Sequence, residues 1–133
     1  MSDNLKKLLS EGDIEGIIEE IKKMAENDED LKREISLMDN ISFNITFGNS
    51  QKIGIQIKDG EIFFVDKLEK PEFFIEIPQK ILSDLLDRKK DLLSSLMGGD
   101  IITWREGEPY DASKLNILTP LMISLAEKIG ITV

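Results

Sequence analysis

The main candidates for acid–base chemistry are carboxylates, because the chain of 133 residues contains no histidine and no cysteine. Thiolate or imidazole metal ligands, and nucleophiles that depend on a histidine base, are therefore excluded. An example of such a pair is Asp100 with Glu106 or Glu108, beside a predicted strand and turn. Charged residues in turns are usually solvated. We therefore expect a protein that is not an enzyme and has no cofactor.

A second acidic cluster runs from Asn27 to Asp30. A calcium loop would place further oxygen ligands and a glycine at fixed positions, but Lys32 stands at a ligand position and no glycine follows in register. Acidic residues at the start of a helix interact favourably with its dipole. We therefore interpret the cluster as a helix cap and expect no metal.

Composition and charge limit the kinds of partner that the protein can bind. Hydrophobic residues make up 41% of the chain, enough for a globular core, and the length suits one domain. The net charge is −9 with no basic stretch, so we expect no nucleic-acid partner. No apolar run reaches the roughly 20 residues of a membrane span, and the N-terminus lacks a signal-peptide pattern. We expect a cytoplasmic protein without stable membrane insertion.

The first part of the chain changes from helical to strand periodicity at Ile41. Residues 1–40 form a helical lead-in, with apolar residues at helical spacing. Residues 41–77 then contain four alternating segments, and Asp59-Gly60 predicts a tight hairpin turn between the second and third. Because these strands follow one another directly, we expect an antiparallel meander.

The second part of the chain supplies the remaining elements. Residues 78–98 predict a helix pair, residues 99–106 a fifth strand and residues 111–130 C-terminal helices. Pro120 should kink the last region or start a new helix, because it lacks an amide donor. The sequence thus predicts one α+β domain over 1–133, with a five-stranded, mainly antiparallel sheet covered by helices.

The order of these elements and several local phrases resemble the sterol carrier protein type-two family, also called the non-specific lipid-transfer proteins. The phrases that carry the resemblance are Ile17–Leu37, Ile55–Glu61, Pro71–Pro78, Leu82–Lys89, Leu96–Gly99 and Leu115–Leu121. The resemblance implies an apolar tunnel between the sheet and the C-terminal helices. It further implies that the protein binds or transfers lipids, fatty acyl chains or similar apolar molecules without catalysis.

A lipid site of this kind is lined by apolar side chains with few polar groups. The expected floor is Phe43, Ile45, Ile55, Phe73 and Ile75, the walls are Leu86, Leu93, Leu118, Leu121 and Leu125, and the adaptable linings are Met97 and Met122. The polar end of the ligand is expected near Trp104 and Tyr110.

The same apolar residues also fit a closed core, which would suit a protein-interaction or accessory domain without a ligand cavity. The adjacent pairs Phe63-Phe64 and Phe73-Phe74 put aromatic side chains on both faces of the sheet. Either the N-terminal helix covers the second face or another subunit does. The sequence therefore leaves a homodimer open.

Overall fold

The computed structural model describes residues 2–103 and 112–133. The elements in chain order are α1 (Ser2–Glu11), α2 (Ile14–Asn27), α3 (Glu29–Ser36), β1 (Ile41–Phe47), β2 (Ile53–Lys58), β3 (Glu61–Val65), β4 (Phe73–Ile77), α4 (Gln79–Leu86), α5 (Leu92–Met97) and α6 (Ala112–Lys128). Within the described part of the chain, no helix is long and apolar enough to cross a membrane.

Aspartate side chains cap three of the helices. Asp13 accepts a hydrogen bond from the Gly16 amide at the start of α2, and Asp91 caps α5 in the same way. Asp28 caps α3 through the Leu31 amide, with a nitrogen–oxygen distance of 3.0 Å. These bonds satisfy amides that have no partner inside the helix. The interpretation of the acidic cluster as a helix cap is confirmed.

The four strands form a sheet in the order β3-β2-β1-β4. β2 pairs antiparallel with both β1 and β3. The predicted hairpin turn joins β2 to β3, and Asp59 and Gly60 both have positive φ, at 53° and 79°. Positive φ at both central residues defines a type I′ turn, whose twist matches that of the strands.

The predicted meander is wrong for the last of these strands. β4 pairs with β1, in parallel, so that Phe73 lies opposite Phe43 and Ile75 opposite Ile45. The chain must therefore cross the sheet between β3 and β4, through residues 66–72. Alternation of apolar residues shows that a segment is a strand but does not identify its neighbour, since an apolar strand fits either edge.

The crossover lies on the second face of the sheet, opposite the face that packs against the helices. It fits closely against the strands there. The buried Asn44 side chain donates to the Leu68 carbonyl at 2.9 Å and accepts from the Leu68 amide at 2.8 Å. The neighbour of Asn44 on β2 is Gly54. A Cβ added to Gly54 would lie 2.9 Å from Leu68 Cγ and would collide with the Asp66 carbonyl. Phe74 is buried beside the crossover. The crossover, rather than a helix, covers this part of the second face.

The predicted fifth strand is reduced to one bridge in the described residues. Ile102 pairs antiparallel with Glu76 of β4, through two backbone hydrogen bonds of 2.8 Å. The described sheet therefore has four strands, not five. The rest of the predicted strand, from Trp104 onward, lies outside the described residues.

The core lies between the first face of the sheet and the helices. Side chains that alternate along the strands on this face form one buried cluster with apolar residues of the helices. α6 continues through Pro120 as one helix, so no new helix starts there. Burial of apolar surface on this single face is what positions every helix against the sheet.

We predict that Gly54→Ala destabilises the fold by about 1 to 3 kcal/mol, because its methyl group would force the crossover away from the sheet. The free energy of unfolding, from urea titrations followed by circular dichroism, measures this effect. Gln56→Ala, at an exposed position on the same strand, is the matched control and should change stability little. Equal stability of the two variants would contradict the account of the crossover.

Candidate functional site

The five predicted floor residues lie together on the first face of the sheet. Phe43 is opposite both Ile55 and Phe73, and Ile45 is opposite Ile75, so these side chains form a contiguous patch. None of them is more than 7% exposed. The floor is therefore apolar and shielded from solvent by the helices.

The predicted wall residues come from three helices. Leu86 of α4 and Leu118 and Leu121 of α6 are buried in the core cluster, at 5% exposure or less. The partly buried residues packed against this cluster include Leu93, Met122 and Leu125. Together with the floor, these side chains make one continuous apolar region between the sheet and α6.

Met97 is set apart from the other eleven predicted residues, because its side chain is 88% exposed. It is the last residue of the short helix α5, next to the Gly98 cap. The sequence predicted Met97 as an adaptable lining, but the helix ends at this residue and its side chain is left exposed. The structure does not bring Met97 to the apolar region.

The helix α6 is unusual because it has no charged residue between Ile117 and Ala126. Its residues on one side are buried, while Ile117, Met122 and Ile123 are half-buried elsewhere around the helix. A helix surface with no charge and few polar side chains is normally enclosed by other parts of the protein. Pro120 also removes one backbone hydrogen bond from its middle. α6 therefore combines an apolar surface with a local weak point.

Polar contacts fix the C-terminal half of α6 to α3. Lys128 Nζ lies 2.8 Å from Asp28 Oδ2, and the Ser124 hydroxyl donates to Glu34 at 3.3 Å. The hydrogen bond from Lys128 lowers the pKa of Asp28 below its ordinary 3.8, with a further contribution from the Leu31 amide. The same bond raises the pKa of Lys128 above 10.5. Both shifts show that each charge stabilises the other.

A groove of about 490 Å³ lies between α3 and α6. Its residues are Asp30, Arg33, Glu34, Leu37, Met38, Asp39, Asn116, Ile117 and Pro120. Sequence reasoning missed this groove, although one signal for it was present. Leu37 is apolar yet follows the last turn of α3, where it is 78% exposed. An exposed leucine at a helix end marks an apolar surface that no described residue covers.

The other predicted functional residues do not form a site in the described structure. Trp104 and Tyr110, expected near the polar end of a ligand, lie outside the described residues, as do Glu106 and Glu108. Asp100 accepts a hydrogen bond from Lys90 Nζ at 3.0 Å, in a partly exposed ion pair. The Asp100 carboxylate therefore forms an ion pair with Lys90.

Comparison with known proteins gives a match at the level of structure. Neither protein-family profiles nor curated protein sequences match the chain. Among solved structures, a ubiquinone synthesis protein, UbiJ-SCP2, overlaps with a TM-score of 0.56 at 14% identity, covering 86% of this chain and 88% of that one. Sterol carrier protein 2 overlaps with a TM-score of 0.54 at 15% identity, covering 84% and 91%. The sterol carrier protein domain 2 of Helicoverpa armigera gives 0.47 at 18% identity, covering 82% and 81%.

The first two overlaps define the class of fold. The chain is an α+β protein with the fold of sterol carrier protein 2, and the overlap extends over most of both chains. The resemblance to the sterol carrier protein type-two family, which the order of elements in the sequence predicted, is confirmed as a likeness of fold.

We predict that Asp28→Asn changes the pH dependence of stability at both ends. Asp28 has a lowered pKa, so its contribution is present above pH 3.8 and is lost as the pH falls below that value. Lys128 has a raised pKa, so its contribution is present below pH 10.5 and is lost as the pH rises further. Asp28→Asn should flatten both limbs of the curve of urea midpoint against pH.

The matched control for this experiment is Asp91→Asn. Asp91 also caps a helix, and the Ser94 amide lowers its pKa, but no lysine is among the causes of the shift. Its replacement should therefore change the acid limb alone. If Asp28→Asn leaves the alkaline limb as steep as in the wild type, the ion pair does not hold α6.

Proposed function

We propose that this protein is a non-enzymatic binder or carrier of lipids, fatty acyl chains or similar apolar small molecules. The observation that carries the proposal is the overlap with sterol carrier protein 2 over 84% of the chain. The proposed site is the apolar region between the first face of the sheet and α6. It consists of the eleven predicted residues other than Met97, which are buried in the core cluster or packed against it.

Burial alone can supply the affinity at such a site. Each methylene group transferred from water to an apolar environment contributes about 0.8 kcal/mol. An acyl chain therefore needs no metal, nucleophile or acid–base pair to be held, in keeping with a chain that has no histidine and no cysteine. Met122 suits the lining because an unbranched thioether can repack around guests of different shape.

Ligand entry in this proposal requires α6 to move away from the sheet. The floor side chains are at most 7% exposed, so an acyl chain must separate them from Leu118 and Leu121. The N-terminal half of α6 is the part that moves, because Lys128 and Ser124 hold the C-terminal half. The backbone hydrogen bond missing at Pro120 makes bending there less costly.

The second candidate is a protein-interaction or accessory domain whose apolar region is a closed core. The observation that favours it is the deep burial of the floor, down to 1% exposure at Ile75. In this case no apolar small molecule would bind. Experiments on ligand binding therefore separate the two candidates directly.

The first test uses protein purified without added lipid. Native mass spectrometry should show an additional mass that corresponds to one bound apolar molecule. Delipidated protein should bind a fluorescent fatty acid saturably, with one site per chain. No additional mass and no fluorescence change at micromolar protein would overturn the proposal and favour the closed core.

A pair of matched variants tests where the ligand lies. Met122→Trp fills part of the proposed site and should weaken fatty-acid binding by about tenfold, since one well-placed steric feature in an apolar pocket contributes about 1 to 3 kcal/mol. Met97→Trp makes the same change at a side chain that is 88% exposed and should leave the affinity unchanged. Fluorescence titrations measure both. A larger effect from Met97→Trp would place the site elsewhere.

A further inference from the structure

The strand β3 is an edge of the sheet with backbone groups that face outward. The type I′ turn makes Lys58 and Glu61 a hydrogen-bonded pair, and hydrogen-bonded and non-hydrogen-bonded pairs alternate along the hairpin. The N–H and C=O groups of Ile62 and Phe64 therefore point away from β2. Within residues 2–103 and 112–133, no recorded hydrogen bond reaches these groups.

The side chains of β3 add an apolar surface to this edge. On the second face of the sheet, Phe63 is 44% exposed and Val65 is 43% exposed. Proteins usually protect an edge strand with charged residues, above all lysine, with proline or with a bulge. The strand Glu-Ile-Phe-Phe-Val has one charged residue, at its first position, and neither lysine nor proline. A groove of about 430 Å³ runs beside it, between Gly60–Phe63 and the helices α2 and α3. The groove leaves the start of β3 accessible from solvent.

We propose that a second copy of this chain pairs with the edge, β3 against β3, antiparallel, about a two-fold axis at Phe63. In this register each Ile62 lies opposite Phe64 of the other copy, so both outward-facing residues of each copy form hydrogen bonds at once. A register centred on Ile62 or on Phe64 would leave one of them unpaired. The five-residue strand is paired over its full length in this register alone.

The side chains are also complementary about this axis. The two Phe63 rings face each other across the axis, in a non-hydrogen-bonded pair where side chains approach closely. In the same arrangement the turn that contains Asp59 lies beside the start of the crossover of the second copy, which contains the exposed Lys67, once at each end. An unrelated peptide would have to supply both features, whereas a second copy already has them.

The test exploits the two-fold axis. Sedimentation equilibrium of the whole chain, from micromolar to near-millimolar concentration, should show a reversible dimer. Phe63→Lys and Phe63→Glu each place like charges opposite each other, and each should raise the dimer Kd by about 100-fold. An equimolar mixture of the two variants should form a heterodimer again, because lysine then faces glutamate. Circular dichroism checks that both variants are folded.

Met97→Lys is the matched control, since it replaces another exposed apolar side chain, 88% exposed, in α5, whose following segment pairs with β4 at the opposite edge of the sheet. It should leave the dimer Kd unchanged. A chain that is monomeric throughout the concentration range would overturn the proposal. A dimer that both Phe63 variants leave intact, or a mixture that does not associate, would overturn it as well. None of these outcomes bears on lipid binding, which is measured separately.

Discussion

The burial of one apolar face of the sheet beneath the helices is the interaction on which the rest of the structure depends. Strand residues such as Phe43 and Ile75 on this face pack with Leu118 and Leu121 of α6 in a single cluster. This contact stabilises the fold, and it is also the proposed place of ligand binding. Stability and the proposed function therefore draw on the same apolar surface, and a ligand that enters there must replace the contacts that it breaks with contacts of its own.

The second face of the sheet is covered by different parts of the chain. It is covered in one part by the crossover, which Asn44 binds through both polar groups of its amide and to which Gly54 gives room. At β3 the same face leaves Phe63 and Val65 partly exposed beside a backbone edge that no other described strand pairs. The first face thus serves the interior, whereas the proposed dimer uses the β3 edge, so the proposed dimer and the proposed lipid site do not compete for the same residues.

Local patterns in the sequence predicted the elements well, whereas long-range pairings were harder to predict. The change of period at Ile41 and the Asp59-Gly60 turn located the first strands, because these signals lie within a few residues. The parallel pairing of β4 with β1 depends on Gly54 accepting a segment more than ten residues away, which no local pattern encodes. For the site, alternation predicted the buried floor, but the exposure of Met97 depends on where α5 ends.

The central claim is that an apolar ligand lies between the sheet and α6. The most direct measurement is a set of intermolecular nuclear Overhauser effects between a bound fatty acid and the methyl groups of the protein. The account predicts contacts from the acyl chain to Ile45, Ile75 and Leu121. Contacts confined to Leu37 and its groove, or no contacts to any buried methyl group, would contradict it.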